Sequence, residues 1–292
     1  MNFRLQTLKT VNWFISRLPF SILYLKSDFL AFLLHSVLKY RRKVVEENLS
    51  KSFPLKTDAE RKIICRQFYL NLSDIIFEVL KTQGITAAEL QRRMKVVNPQ
   101  LLEKYRLQGR SVMMVSGHCG NWEWYPPSTA LQCPGFVHNC AIVKPLSSEV
   151  FEEFMTFLRT QFMKDVLIPF KSAYRIMASR RHELSLTAIL ADQTPHRDEI
   201  NYHTLFLNQQ TAVFLGTERI AKSLDHVVMF AHLQRVKRGF YEVEFELITD
   251  SPKFTAEHEI TNRHVEILEK DIVSHPEQWL WSHRRWKYKV ED

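Results

Sequence analysis

The sequence predicts an α/β fold: a mostly parallel central sheet flanked by helices, preceded by an N-terminal helical arm. Three observations predict it. Short β-rich apolar runs alternate with helix-period segments from Ser111 onward, which is the pattern of a buried parallel sheet with helices on both faces. A long stretch before Ser111 carries only helical spacing. With 7 Gly and 11 Pro in 292 residues, and no Ser-rich or Gly-rich tract, no flexible linker or repeat divides the chain. The expected organisation is therefore an arm over residues 1–43 and a single domain over 44–292.

From Val11 to Leu38 the arm is rich in Trp, Phe, Leu, Ile and Tyr, but Arg17, Pro19, Lys26, Asp28 and His35 interrupt it. A spanning helix needs about 20 mostly apolar residues in a row, and no uninterrupted run here reaches that. The expectation is an interfacial helix, or two short ones. Trp13 and Tyr24 would lie at headgroup level, with Lys39, Arg41, Arg42 and Lys43 on anionic lipid. The competing reading is an amphipathic helix that caps the core.

Ile63, Ile64, Phe68, Leu72, Ile75 and Val79 recur at three- and four-residue steps, so residues 43–90 form a helical layer. Gln91–Val97 is short and mixed, and Asn98-Pro99 opens a helix through Gln108. Strands are predicted at Val112–Ser116, Val137–Val143, Val166–Ile168, Ser185–Leu190 and Val227–Val236. Helices are predicted at Asn121–Leu131, Ser148–Met163, Ala173–Arg181 and Val213–Leu224. Tyr241, Val243, Phe245 and Leu247 alternate with Glu242, Glu244 and Glu246, which predicts a half-exposed strand over Phe240–Ile248, antiparallel after the Arg238-Gly239 turn. Phe254–Ser274 reads as a long amphipathic helix.

Formal charge is +8, with a pI near 9.3, so an acidic partner is expected: nucleic acid, an anionic bilayer or an acidic carrier protein. No zinc-finger spacing, RNA-binding aromatic signature or zipper heptad is present, which argues against nucleic acid. The apolar arm favours the membrane surface. Cys65, Cys119, Cys133 and Cys140 are scattered without a scaffold spacing, as in a reduced, cytoplasm-facing protein. Cys133, His138 and Cys140 lack a fourth ligand at useful spacing, and no metal is expected there.

The chemistry-bearing segment follows the apolar run Val112–Ser116. His118 and Glu123 stand four intervening residues apart, and Gly117 and Gly120 bracket the histidine. Small residues let the backbone leave a sheet sharply and expose an imidazole at its edge, where open α/β sheets collect their chemistry. If a helix begins at Asn121 or Trp122, Glu123 lies in its first turn and can fold back toward His118. A carboxylate on one ring nitrogen fixes the tautomer and leaves the other nitrogen free to accept a proton. A surface pair is the plainer reading of these two residues alone. Cys119 offers a second mechanism as a thiolate nucleophile, although adjacent residues rarely aim their side chains at each other.

Further blocks follow in order: Tyr40–Val45 with Asn48-Leu49 and Ser52-Phe53-Pro54, then Gly117–Trp124, Ala191-Asp192-Gln193-Thr194-Pro195, Phe206-Leu207-Asn208, Phe214-Leu215-Gly216, and Trp281–Lys287. Taken together they resemble the bacterial late lipid A acyltransferases, the lauroyl and myristoyl transferases of the lysophospholipid acyltransferase superfamily. The resemblance spans nearly the whole chain. It implies a glycerol-phosphate acyltransferase-like fold and transfer of a fatty acyl group from an acyl thioester to a lipid hydroxyl, with His118 as general base and Glu123 as its orienter.

It further implies roles for Arg159, toward the donor or the developing negative charge, and for Asp192 near the pair, as a second orienting carboxylate. Asn121, Trp122, Gln193 and Gly216 are the substrate-binding candidates. Read from the residues alone, Arg159 equally suits a solvated helix face, and Asp192 a turn before Gln193-Thr194-Pro195. The Phe-Pro-Glu-Gly motif of the glycerol-phosphate enzymes is not found, which favours the lipid A branch. The partners implied are an acyl-carrier-protein or coenzyme A thioester, a lipid acceptor and the cytoplasmic side of the inner membrane, with no cofactor. A non-catalytic lipid-binding protein of the same fold is the rival reading.

Overall fold

A computed structural model describes residues 3–163 and 167–288. Its N-terminal arm is two helices, α1 (Phe3–Arg17) and α2 (Phe20–Phe32), which π-type turns extend to Val37. Pro19 separates them, since its ring cannot sit inside a helix. Helices α3 (Arg42–Ser52), α4 (Asp58–Lys81) and α5 (Ala87–Arg93) form the helical layer. Thr57 starts α4 with a capping box, taking the Glu60 N–H while Glu60 takes the Thr57 N–H.

Then come β1 (Met94–Val96), α6 (Pro99–Leu107), β2 (Val112–Ser116), α7 (Tyr125–Gln132), β3 (His138–Val143), α8 (Glu149–Arg159), β4 (Leu167–Pro169), α9 (Ala173–Ser179) and β5 (Ser185–Leu190). The described residues end with β6 (His203–Phe206), β7 (Gln209–Ala212), α10 (Gly216–Leu224), β8 (Val227–Lys237), β9 (Phe240–Thr249), α11 (Glu259–Ser274) and a segment in which Trp279, Trp281, Ser282 and Arg285 are buried.

The main sheet has the order β1-β9-β8-β2-β5-β3-β4; β8 and β9 pair antiparallel and every other pair is parallel. Strand β2 lies in the middle, buried at all five positions, as its unbroken apolar sequence requires. One large cluster packs α3, α4 and the C-terminal tryptophans on one face of the sheet. A smaller cluster with α9, α10 and Ile260 covers the other.

The alternating run at Phe240 is an antiparallel strand as expected. Some expectations change. The helix after His118 begins at Tyr125 rather than Asn121, because Asn121 closes a turn on Trp124 and Pro126-Pro127 then occupy the first helical turn, where the missing N–H groups would be unpaired anyway. The last helix begins at Glu259, after a 3-10 turn at Pro252–Phe254. The β6–β7 hairpin was not predicted; its two-residue turn holds Leu207 and Asn208 at positive φ. Val166, where the fourth strand was expected to start, lies outside the described residues.

The arm is more continuous than its sequence suggests. Phe20–Val37 makes 18 residues of mean hydropathy 1.3, long and apolar enough to cross a membrane by length and composition. Yet α2 also carries a polar stripe bonded to the body: Ser27 Oγ donates to Asp74 at 2.6 Å, Tyr24 Oη to Glu78 at 2.9 Å, and Arg238 reaches Asp28. Phe14, Leu25, Phe29 and Phe32 face outward. The helix thus has one bonded face and one bare apolar face.

Burial pushes His226, His264 and His283 down to about 4 from 6.5. Unfolding lets each take up a proton once the pH falls below 6.5, so folding stability drops between pH 6.5 and about 4, by up to about 3 kcal/mol for each such histidine. Glu78, pushed up to about 7 by burial, and His232, raised because its bonds to Asp271 and Glu246 outweigh its burial, work in the opposite sense, but they are two groups against three. Thermal melts between pH 8 and 4 should therefore show Tm falling below pH 6.5, with a shallower fall in His264→Gln; a flat profile would contradict this.

Candidate active site

The register of the sheet builds the site. In the β2–β5 pair Ser116 lies opposite Leu190, so His118 and Asp192, each two residues further on, emerge side by side beyond the carboxyl ends of their strands. Ala191 N–H bonds Ser116 O at 2.9 Å, which holds the two chains together at their exit. Gly120, at φ +51°, lets the chain turn back beneath β8; a Cβ there would lie 3.3 Å from Leu233 O and would be strained by the backbone angle alone.

His118 Nδ1 lies 2.6 Å from Asp192 Oδ1, and the His118 backbone N–H donates to Oδ2 at 2.9 Å. Trp279 Nε1–H gives Oδ2 a further hydrogen bond at 2.7 Å. Burial pushes the Asp192 carboxyl up, but the facing imidazole and these donors outweigh it and hold the group well below the usual carboxylate range. A permanent carboxylate on Nδ1 assigns the proton to that nitrogen and leaves Nε2 as the acceptor. Gln193 Nε2 lies 3.2 Å from that nitrogen, and Trp122 meets the ring edge-on with centroids 5.3 Å apart.

Glu123 does not orient His118. Both of its oxygens are taken by Arg159 on α8, at 2.8 and 2.7 Å, in a bidentate pair. The turn at Asn121–Trp124 aims Glu123 toward α8, away from the imidazole, which is the physical reason the expected pairing fails. Arg159 is thus tied into the site rather than solvated on a helix face, and its Nη1 is buried without a hydrogen-bond partner among the described residues.

Asn121 is not open to a substrate. It is fully buried; its Nδ2 donates to Glu78 at 2.7 Å and its Oδ1 accepts from Trp124 N–H at 3.0 Å. Gly216 opens α10 with its Cα against the Phe214 ring, where a Cβ would come within 1.9 Å, so the geometry gives it a packing role. Cys119 is buried, and burial raises its thiol well above the usual value, with Asp192 and Asp271 adding to the effect. A thiolate is therefore strongly disfavoured there.

The residue that sequence reasoning missed at the centre is Trp279, 87 positions from Asp192. It belongs to a C-terminal segment laid along the His118 loop: Leu280 N–H bonds His118 O at 3.1 Å, and Gly120 N–H bonds Gln278 O at 3.2 Å. Asn48 and Arg41 in turn hold the carbonyls of Trp281, Ser282 and His283. Only the density of Trp and Arg in Trp279–Trp286 hinted at a buried role.

Behind the Glu123–Arg159 pair a small, mostly apolar pocket opens between β3, β5 and α7, lined by Trp122, Tyr125, Ile142, Met163 and Leu190 among others. An open α/β sheet with an oriented imidazole at its carboxyl edge and an apolar pocket beside it suits acyl or ester chemistry. The comparisons agree with that class. The family described as bacterial lipid A biosynthesis acyltransferase matches residues 8–288, and the chain belongs to it.

Among curated relatives, the lipid A biosynthesis lauroyltransferase of Escherichia coli (strain K12) is 23% identical over 282 residues, covering 96% of this chain and 90% of that protein. The palmitoleoyltransferase of the same organism and the lipid A biosynthesis acyltransferase of Shigella flexneri are each 23% identical over 279 residues, covering 95% of this chain and 89% of theirs. The fold and family together make this protein a membrane-lipid acyltransferase.

Cys119→Ala should keep most of the activity of the wild type. Arg159→Ala should lose it and also melt at lower temperature, since stripping one partner from a largely buried ion pair costs about 3–5 kcal/mol. Turnover assays and thermal melts of the two variants check this; an inactive Cys119→Ala beside an active Arg159→Ala would invert the assignment.

Proposed function

We propose that this protein transfers a fatty acyl group from an acyl thioester, carried by acyl carrier protein or coenzyme A, to a hydroxyl of a lipid A precursor or a related membrane lipid. His118 is the general base and Asp192 its orienter. The observation that carries this reading is the His118 imidazole, locked through Nδ1 by a buried carboxylate, with Nε2 turned toward Gln193 and Trp122. An acceptor hydroxyl that displaces the Gln193 amide meets Nε2 directly.

The chemistry follows from this arrangement. The acceptor O–H gives its proton to Nε2 as its oxygen attacks the thioester carbonyl, and Asp192 stabilises the imidazolium. Negative charge then develops on the carbonyl oxygen. Arg159 is the group best suited to receive it: Nε and Nη2 are spent on Glu123, while the buried Nη1 has a donor to give. Collapse of the tetrahedral species breaks the C–S bond, and the departing sulfur takes the proton back from the imidazolium. An ester and a free thiol result, with no covalent enzyme intermediate. The apolar lining beside Arg159 suits the carbonyl end of an acyl chain.

The arm supports work at a bilayer. The outward face of α1 and α2, with Phe14, Leu25, Phe29 and Phe32, and the basic residues Lys39, Arg41, Arg42 and Lys43 that follow suit the anionic, cytoplasmic face of the inner membrane. The bonded polar stripe of α2 favours an arm that lies in the interface while it holds the body. In this reading residues 1–43 are the anchoring unit and 44–292 the catalytic one.

Acyl transfer from a labelled acyl-carrier-protein thioester into bacterial lipid, with products identified by mass, tests the reading. Wild type should yield an acylated lipid, and His118→Ala should lose about 10²–10⁴-fold in turnover. No lipid product from either carrier-protein or coenzyme A thioesters would contradict it and favour a lipid-binding role.

A further inference from the structure

Glu78, on α4, is one of the most completely buried carboxylates in the protein, and it forms no ion pair among the described residues. Its partners are three neutral donors from three different elements. Tyr24 of the arm donates to Oε1 at 2.9 Å, while Asn121 of the His118 loop and Tyr241 of β9 donate to Oε2, each at 2.7 Å. The surrounding charges are occupied elsewhere. Arg235 is bonded to Asp74 and Asn71, Arg238 to Asp74 and Asp28, and Arg93 to Glu89 and the Gly239 carbonyl.

One turn further along α4, Thr82 accepts from Trp124 Nε1 at 3.0 Å, and Phe20 of the arm meets the Trp124 ring edge-on. So arm and loop meet twice: Tyr24 and Asn121 through Glu78 on α4, and Phe20 and Trp124 directly, beside Thr82 at the end of that helix.

The loop in question is the one that carries the reacting side chains. Asn121 closes the turn that aims Trp122 at His118 and Glu123 at Arg159. Its amide has no slack, because Oδ1 is committed to Trp124 N–H and Nδ2 to Glu78. We propose that Glu78 is a positioning residue for the acyl transfer, a shared acceptor through which the seating of the membrane arm on α4 fixes the turn that holds Trp122 and Glu123 in place. The inference rests on the acyltransferase reading above and goes beyond it by making the arm part of the site's geometry.

The charge state of Glu78 bears on how firmly the link is made. Burial and the neighbouring Asp74 push it up to about 7, against the donors Tyr241 and Asn121 and the nearby Arg235. As a carboxylate it accepts all three hydrogen bonds. Once protonated it must donate one, so one tyrosine has to turn round and accept, because the Asn121 amide cannot do so without giving up Trp124. The arm is thereby less firmly tied to the loop on the acid side of neutrality.

The test uses the full chain on anionic phospholipid vesicles, with acyl thioester and lipid acceptor. Tyr24→Phe removes one hydroxyl and keeps the ring. It should lower kcat about threefold to tenfold with KM for both substrates, vesicle binding and Tm unchanged, and it should have little further effect in an Asn121→Ala background. Glu78→Gln, like the protonated acid, must donate to one tyrosine, and it does not titrate; it should lower kcat about threefold at pH 8 and lose about threefold less activity than wild type does between pH 8 and pH 6.

Wild-type kcat in Tyr24→Phe, independent multiplying losses in the double variant, or a Glu78→Gln profile superimposed on wild type would each overturn the proposal. Failure of wild type to turn over would instead count against the acyltransferase reading, so the two failures are distinct.

Discussion

The Asp192 carboxylate is the constraint on which the site depends. It stands at the carboxyl end of β5, nearly inaccessible to water, and must be compensated there. Its compensation comes from three places: the His118 ring, the His118 backbone and the indole of Trp279. Each of these in turn needs its own support. The His118 loop needs Gly120 in a left-handed conformation, the C-terminal segment needs Asn48 and Arg41, and α11 covers the exit of β2, where Leu268 lies against Gly117. A single buried charge therefore ties α3, the centre of the sheet and the segment from Trp279 to His283 to one geometry.

That constraint separates two carboxylates with different work. Asp192 is bonded to the His118 ring, while Glu123 holds Arg159 with Nη1 left over. In the proposed function, one carboxylate steadies positive charge on an imidazolium, and the other aims positive charge at a place where negative charge can form. The separation matters because a single carboxylate could not bridge both groups from one side of the loop.

How far the sequence could be read follows from how local each feature is. Strands β2 and β5 announce themselves as short apolar runs, and β9 by alternation of Val, Phe and Glu, because burial on two faces or one leaves a mark within each segment. The fold class and family were legible for that reason, and from ordered blocks along the chain. The hairpin β6–β7 left no such mark, since its turn uses Leu207 and Asn208 rather than glycine. At the site, His118 and Asp192 were both visible as residues following strands. Only the family resemblance put Asp192 near His118; the residues themselves did not, because the pairing is set by the register of β2 against β5, which no spacing within one segment records. The nearby Glu123 was the natural partner by sequence distance, and the turn at Asn121 directs it elsewhere. Glu78 gave no signal at all: a glutamate in a helical run reads as a solvated face until the arm, the loop and β9 are seen to converge on it.

The proposed function requires that Asp192, and not Glu123, sets the state of His118. The most direct measurement is the pair of imidazole nitrogen chemical shifts of His118, recorded near neutral pH on protein labelled with nitrogen-15 at histidine, in wild type, Asp192→Asn and Glu123→Gln. The account requires a protonated Nδ1 and a bare Nε2 in wild type, the same pattern in Glu123→Gln, and loss of it in Asp192→Asn. A pattern lost in Glu123→Gln and kept in Asp192→Asn would contradict it.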